Sequence, residues 1–190
     1  MAELSEADRD AVGRVLDFWF APGAEVHWFE RSAEFDRAVR DALADDLERA
    51  AAGAYDAWTE CAEGSLALVL LLDQVPRNLF RGDARAFATD GRALAVTRHA
   101  LAQGFDRRLA TQARRMFLYL PLEHSERLAD QEACCRLMAA LDENAEWLDW
   151  AVKHREVVVR FGRFPHRNAA LGRASSEAEK AFLAEPDSAF

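Results

Sequence analysis

Cysteine is scarce in this chain, and the cysteines present form no pairing or metal-binding motif. The 190 residues include only Cys61, Cys134 and Cys135. Their number is odd, two of them are adjacent, and no C-x-x-C pair occurs. The pattern therefore gives no support for a zinc knuckle or a thioredoxin-like redox pair. It favours small buried thiols in a reducing compartment.

Long apolar runs are also missing. The longest extends from Leu66 to Leu72, whereas a membrane-spanning helix needs about 20 such residues. We therefore predict a buried core helix here and no membrane partner. Residues 1–10 carry four acids and lack the basic start and apolar stretch of a secretory signal. We expect a cytoplasmic protein.

Positive charge is in short supply as well. The net charge is −9, and lysine occurs only at positions 153 and 180. An acidic chain has little general affinity for nucleic acid, so we predict no nucleic-acid partner. Basic residues nevertheless concentrate between positions 153 and 173, where Glu156 is the one acid. This local patch suits a small anionic ligand better than a long polyanion. Its members are Lys153, Arg155, Arg160, Arg163, Arg167 and Arg173.

The apolar residues recur with helical spacing along nearly the whole chain, and no useful length alternates with period two. Ser5, Ser32 and Ser176 stand where N-caps are expected. Connections between the apolar stripes are short, which favours antiparallel helix pairs. The sequence predicts a single all-α domain over residues 1–190, with about eight helices.

Prolines should end several of these helices, because proline lacks an amide donor and disfavours helical angles in the preceding residue. We predict that the first helix stops at Pro22-Gly23 and that a helix starting at Ser65 ends or kinks at Pro76. Another helix should begin at Arg107 and close at Pro121. A further helix is predicted over residues 84–103.

Two polar segments, Asp73–Gly82 and Phe161–Arg173, echo each other. Each follows an apolar helix and places an Arg-Asn pair at or just after a proline. Arginine binds carboxylates and phosphates through paired donors, but it also satisfies carbonyl groups at helix ends. The segments therefore predict either an anion site or an architectural network. The candidate ligand-binding residues are Asp73, Arg77, Asn78, Arg81, Arg163, Arg167 and Asn168.

Two histidines are candidate catalytic residues. Neighbouring arginines favour an uncharged imidazole at His166, which makes it the best general-base candidate. His124 lies beside Glu123 and Glu126, either of which could orient its ring. Each motif also has a structural interpretation. His166 could be a turn residue that donates to backbone carbonyls, and the motif around His124 could serve only to start a helix over residues 125–141, with Ser125 as its N-cap.

No metal and no cofactor are predicted. The five histidines form no H-x-x-x-H or E-x-x-H arrangement, and no glycine-rich phosphate loop is present. His154 falls on an apolar helical stripe with Ala151 and Val158, so we interpret it as a hydrogen-bonded core histidine.

Several motifs together closely resemble the bacterial family known as domain of unknown function 924. The resemblance covers nearly the whole chain, and one departure is Val75, where the family usually has phenylalanine. It implies an all-helical fold of the tetratricopeptide-like, α–α superhelical type and supplies no activity. The motifs are Leu16–Phe20, Trp28-Phe29, Leu72–Asn78, Phe117–Glu126, Arg160–Asn168 and Leu171–Arg173.

Three functional hypotheses follow. In the first, the two polar segments converge on a pocket for a small phosphate or carboxylate ligand, facing His124. In the second, the chain is a tetratricopeptide-like module that binds a protein or peptide in a groove. In the third, the segments only lock helix ends together. Whether the chain is an enzyme does not follow from the sequence.

Overall fold

A computed structural model describes residues 4–141, 144–186 and 188, and this part of the chain is helical without a β-strand. The predicted all-α fold is confirmed. Short 3₁₀ turns connect several of the helices. The α-helices are α1 (Glu6–Trp19), α2 (Ala33–Ala51), α3 (Ala62–Val69), α4 (Val75–Leu79), α5 (Asp90–Ala102), α6 (Gln112–Glu123), α7 (Leu128–Met138), α8 (Ala145–Phe161) and α9 (Glu177–Leu183).

The chain forms two compact units. The first contains Met1–Arg81 and Arg85–Pro121, and the second contains Gly82–Ala84 and Leu122–Phe190. The single domain and the tetratricopeptide-like superhelix stay predictions. Within the described residues, no helix combines the length and the apolar character that crossing a bilayer demands.

Side-chain caps begin the helices where the sequence predicts them. The Ser5 hydroxyl accepts a hydrogen bond from the Asp8 amide, and the Ser32 hydroxyl accepts one from the Phe35 amide. At α9, Ser176 and Glu179 form a reciprocal capping box. Each cap satisfies amides that have no partner within the helix, which stabilises a helix by about 1 kcal/mol.

The core of the first unit surrounds α3. The residues from Leu66 to Leu72 are at most 1% exposed, so the predicted buried helix is confirmed. Helices α1 and α5 pack against α3, while α2 packs against α4. Trp19, Trp58 and Phe117 are the largest fully buried side chains of this unit.

Pro76 does not end its helix. The chain continues to Leu79, because a π-turn at Leu70–Gln74 joins α3 to α4. In this turn the amide of Val75 donates to the carbonyl of Leu70, five residues back. The wider turn removes the clash that the proline ring makes with the preceding turn of an α-helix. The chain is thus deformed at the predicted position without being interrupted.

Other predicted helix limits are wrong. Helix α6 starts at Gln112 and includes Pro121, whereas residues 106–108 form a 3₁₀ turn. The helix predicted over residues 84–103 divides into a 3₁₀ turn, Ala84–Phe87, and α5. Local sequence patterns miss such limits, because tertiary contacts of single residues decide them.

In the second unit, α7 packs against α8, and α9 packs against the 3₁₀ turn Pro165–Arg167. Val157, Val158 and Phe164 form a buried apolar cluster. Gly162 ends α8 with a φ of 70°, a left-handed conformation that glycine adopts without cost. The chain therefore leaves the helix at Gly162 and continues into the 3₁₀ turn Pro165–Arg167.

Candidate functional site

In the first unit, Arg77 is held by two carboxylates. It donates two hydrogen bonds to Asp90, at 2.8 and 3.0 Å, and its Nη1 lies 3.3 Å from Oδ1 of Asp73. Asp73 and Arg77 are four positions apart, a spacing at which side chains of a helix meet. The same Nη1 donates to the carbonyl of Asp73 at 2.7 Å. Arg77 thus neutralises the fully buried Asp73 and fastens the π-turn to the start of α5.

Asn78 and Arg81 share a single partner. The Asn78 amide donates to Asp36 at 2.8 Å, and Arg81 donates two bonds of 2.7 Å to the same carboxylate. Partial burial opposes ionisation of Asp36, but the bonds from Arg81 and Asn78 prevail and lower its pKa. A ligand anion at this segment would have to displace bound carboxylates.

The second polar segment is also strongly cross-linked. Arg163 donates to both carboxylate oxygens of Glu179, at 2.6 and 2.9 Å. The bonds from Arg163 and from the Ser176 amide lower the pKa of Glu179 to about 2. Asn168, only 1% exposed, donates to the Ser175 hydroxyl at 3.1 Å. These bonds hold the segment against α9.

Glu126 binds Arg173. The two N–H donors of Arg173 lie 2.7 and 2.8 Å from the carboxylate of Glu126, which also accepts from the amide of Phe164 at 2.8 Å. Partial burial works against ionisation, yet Arg173 and the Phe164 amide lower the pKa of Glu126. Arg173 also donates to Oδ1 of Asn168. Glu126 thereby ties the end of α6 to the second polar segment.

The turn after α6 is stabilised by a glutamine that sequence reasoning missed. Gln131 is fully buried and donates from its amide to the carbonyls of Glu123 and Ser125. Helix α7 starts at Leu128, so the prediction that Ser125 caps it is wrong. The Ser125 hydroxyl instead donates to Asp130 at 2.7 Å and accepts from the Arg127 amide.

Three histidines of the second unit lie near one another. We call Glu123, His124, His154, His166 and Arg167 the histidine cluster. The ring centres of His124 and His154 are 6.2 Å apart. The Phe164 ring contacts the rings of His154 and His166, each at 5.6 Å between centres, and the Arg167 guanidinium lies 4.6 Å from its centre. Both predicted catalytic histidines therefore belong to one cluster.

His154 is uncharged in this environment. Burial, followed by the neighbouring His124, His166 and Arg167, lowers its pKa to about 3. Its Nδ1 lies 2.9 Å from the carbonyl oxygen of Trp150 and 3.3 Å from Oε1 of Glu123. A carbonyl only accepts hydrogen bonds, so Nδ1 carries the proton and Nε2 carries the lone pair. The interpretation of His154 as a hydrogen-bonded core residue is confirmed.

Glu123, His124 and His154 can each offer one metal-ligating atom, and these atoms all lie within 4.8 Å of one another. Sequence reasoning missed this grouping and predicted no metal site. Glu123 is the last residue of α6 and His124 follows it, whereas His154 lies thirty positions after His124, in α8. No regular ligand spacing links them, so only the folded chain brings them together.

The nearby thiol of Cys134 is protonated. Its Sγ lies 3.8 Å from Oε2 of Glu123, and burial together with that carboxylate raises its pKa well above the ordinary value. A thiol that resists ionisation is a poor nucleophile. The interpretation of Cys134 as a buried small residue fits this environment.

A shallow groove on the second unit lies along the second polar segment. Its lining includes Arg163, whose guanidinium is bound to Glu179, and it includes no member of the histidine cluster. The groove therefore adds no further group to the candidate site. The lining residues are Arg160, Phe161, Arg163, Ser176, Ala178 and Glu179.

Comparisons with known proteins agree with the resemblance seen in the sequence. Residues 15–187 match the profile of a family described as bacterial protein of unknown function, DUF924. A solved structure of a protein of unknown function from Agrobacterium tumefaciens is similar to the chain, with 40% identity and a TM-score of 0.87. The similarity covers 93% of this chain and 98% of that one. No curated protein matches.

Proposed function

The chain belongs to the bacterial family of domain of unknown function 924, and we propose from its own geometry that the histidine cluster binds a small anionic ligand. The ligand class is a phosphate or carboxylate compound. One observation carries this proposal: the positively charged Arg167 and the imidazoles of His124 and His166 all interact with His154. A guanidinium and imidazole N–H groups are donors that suit a phosphate or carboxylate.

Arg167 is the residue best suited to hold the anion. Its side chain is only 6% exposed, and its guanidinium lies over the Phe164 ring. Stacking fixes the plane of the guanidinium, so little conformational entropy is lost when its paired donors meet a phosphate or carboxylate. His166, the preceding residue, and His124 are both half-buried and would supply further donors.

Other arginines of the two polar segments are bound to carboxylates. Each of four other arginines gives two donors to one carboxylate of the fold, so an anion would meet strong competition there. Ligand binding by Asp73, Arg77, Asn78, Arg81, Arg163 and Asn168 stays a prediction, as does convergence of the two polar segments. The four pairs are Arg77 with Asp90, Arg81 with Asp36, Arg163 with Glu179, and Arg173 with Glu126.

If the ligand is a substrate, His166 and His124 are the general-base candidates. Both are half-buried, and an imidazole in reach of solvent can pass its proton on to water. Buried His154 would hold the cluster together instead of exchanging protons with solvent. The reaction class stays open, and the alternative of a protein-interaction module stays a prediction.

A thermal-shift titration tests anion binding. The purified chain is titrated with inorganic phosphate, and a panel of phosphorylated and carboxylated metabolites follows. A ligand present at 100 times its Kd stabilises the folded state by about 2.7 kcal/mol. The test variants are Arg167→Lys, which keeps the charge but loses the paired donors, and His166→Asn. Arg136→Ala serves as the control, because Arg136 is exposed on α7.

The proposal requires that a ligand stabilise the parent and Arg136→Ala equally and stabilise Arg167→Lys and His166→Asn much less. The unliganded melting temperatures show separately whether each variant is folded. The proposal fails if no compound of the panel shifts the parent. It also fails if folded Arg167→Lys and His166→Asn respond as the parent does.

A further inference from the structure

The histidine cluster contains a set of ligand atoms that suits a metal ion. The carboxylate of Glu123 and the imidazoles of His124 and His154 offer two nitrogens and one oxygen within 4.8 Å of one another. Calcium and magnesium prefer oxygen ligands alone. Two imidazoles and one carboxylate bind divalent first-row transition metals such as zinc.

The hydrogen bonding of His154 suits a ligand. Its Nδ1 donates to the Trp150 carbonyl at 2.9 Å, which leaves the lone pair on Nε2. Metal-binding histidines commonly donate their second ring N–H to a carbonyl or carboxylate, which fixes the ring orientation. His154 is 6% exposed, so water offers little competition for that ring.

The backbone holds the three residues in place. Glu123 is the last residue of α6, and His124 comes after the helix has ended, so the two side chains are not forced apart by helical geometry. Gln131 fixes this turn through the carbonyls of Glu123 and Ser125. His154 lies on the buried face of α8.

Only small movements are needed to bind an ion. A tetrahedral zinc ion with ligands at about 2.1 Å holds its ligand atoms about 3.4 Å apart. Ligand atoms at the observed limit of 4.8 Å would have to approach one another by about 1.4 Å, which is within reach of side-chain rotations. The half-buried His124 has the room to make it.

We propose that Glu123, His124 and His154 bind one divalent transition-metal ion, such as Zn²⁺. Three protein ligands leave a fourth position of a tetrahedral ion for water or another small ligand, as in catalytic zinc sites. The inference stands on the ligand set and does not require anion binding. A metal-bound His124 would leave His166 as the general-base candidate. A bound dication would add to the attraction that Arg167 exerts on an anion.

The test uses the full chain without a histidine tag, treated with EDTA and then dialysed. Co²⁺ binding is followed by visible absorption, and Zn²⁺ binding by calorimetry. His124→Asn and Glu123→Gln remove one ligand each, and His99→Asn is the matched control because His99 is exposed in the first unit. The parent and the control should bind one ion, whereas both ligand variants should bind at least about tenfold more weakly.

A second measurement needs no variant, so it holds even if the substitutions disturb folding. In the parent, Zn²⁺ should shift the imidazole nitrogen resonances of His124 and His154 and leave those of His27 and His99 unchanged. The proposal is overturned if neither ion binds, or if folded His124→Asn binds as His99→Asn does. A thiolate-to-cobalt absorption band that Cys134→Ser or Cys135→Ser abolishes would place the ion at the cysteines and also overturn it.

Discussion

The hydroxyl of Thr89 donates a hydrogen bond of 2.5 Å to the carbonyl oxygen of Leu72, four residues before Pro76. In a regular α-helix that carbonyl would accept from the amide of residue 76, which proline lacks. Leu72 is fully buried, so its carbonyl has no access to water. Thr89 therefore supplies the donor that the proline removes.

Replacing Thr89 by valine tests this relationship. The change keeps the shape of the side chain and removes the donor, leaving a buried carbonyl without that bond. We expect a loss of about 1–3 kcal/mol in the free energy of unfolding, measured with urea. Thr89→Ser keeps the hydroxyl and should lose much less. Equal losses in the two variants would mean that the methyl group matters and the bond does not.

Arg173 should be the most important cross-link of the second unit. It binds Glu126, Asn168 and the Phe164 carbonyl at the same time. Arg173→Ala should lower the free energy of unfolding by about 1.5–3 kcal/mol, since hydrogen bonds to charged groups are lost. The exposed Arg136→Ala should change it by less than about 0.5 kcal/mol. Similar denaturation midpoints for the two variants would contradict the assignment.

Glu179 predicts an acid-sensitive contribution to stability. Its folded-state pKa is lowered from 4.5 to about 2, mainly by Arg163. Below pH 4.5 the unfolded chain takes up the proton more readily than the folded one, so stability falls as the pH decreases toward 2. Urea midpoints across this range should fall less steeply in Glu179→Gln. Parallel curves for the parent and the variant would refute the prediction.

Two glycines should respond in opposite ways to alanine. Gly162 has a φ of 70°, which a residue with a Cβ adopts at a cost of about 1–2 kcal/mol. Gly13 lies inside α1 with no atom near its missing Cβ, so alanine there should stabilise by about 0.5–1 kcal/mol. Melting temperatures should therefore fall for Gly162→Ala and rise for Gly13→Ala. A fall for both would show that helix propensity does not govern position 13.

The features that the sequence predicts correctly depend on residues that lie close together along the chain. The caps at Ser5, Ser32 and Ser176 and the buried run at Leu66–Leu72 follow from local spacing, and all are present. The Asp73–Arg77 pair was predictable for the same reason. Local periodicity therefore accounts for the all-helical class and for these local features.

The candidate site could be predicted only in part. His124 and His166 are recognisable from their charged neighbours, but their association with His154 depends on how His124, α8 and the turn after α8 come together in the second unit. The helical stripe assigns His154 to the core and says nothing about the polar groups around it. Pro76 misleads for a similar reason, since Thr89, which donates to the Leu72 carbonyl in place of the missing amide, lies thirteen positions after the proline.

The π-turn at Leu70–Gln74 also has a consequence for chain length. A π-turn holds about one residue more than an α-turn, while the helix on either side keeps its direction. The turn therefore accommodates one inserted residue within the helix. Loss of one residue between Val69 and Val75 would convert it to an ordinary α-turn, with the flanking helices presenting the same faces. We expect relatives to vary in length by one residue here more readily than elsewhere in α3 or α4.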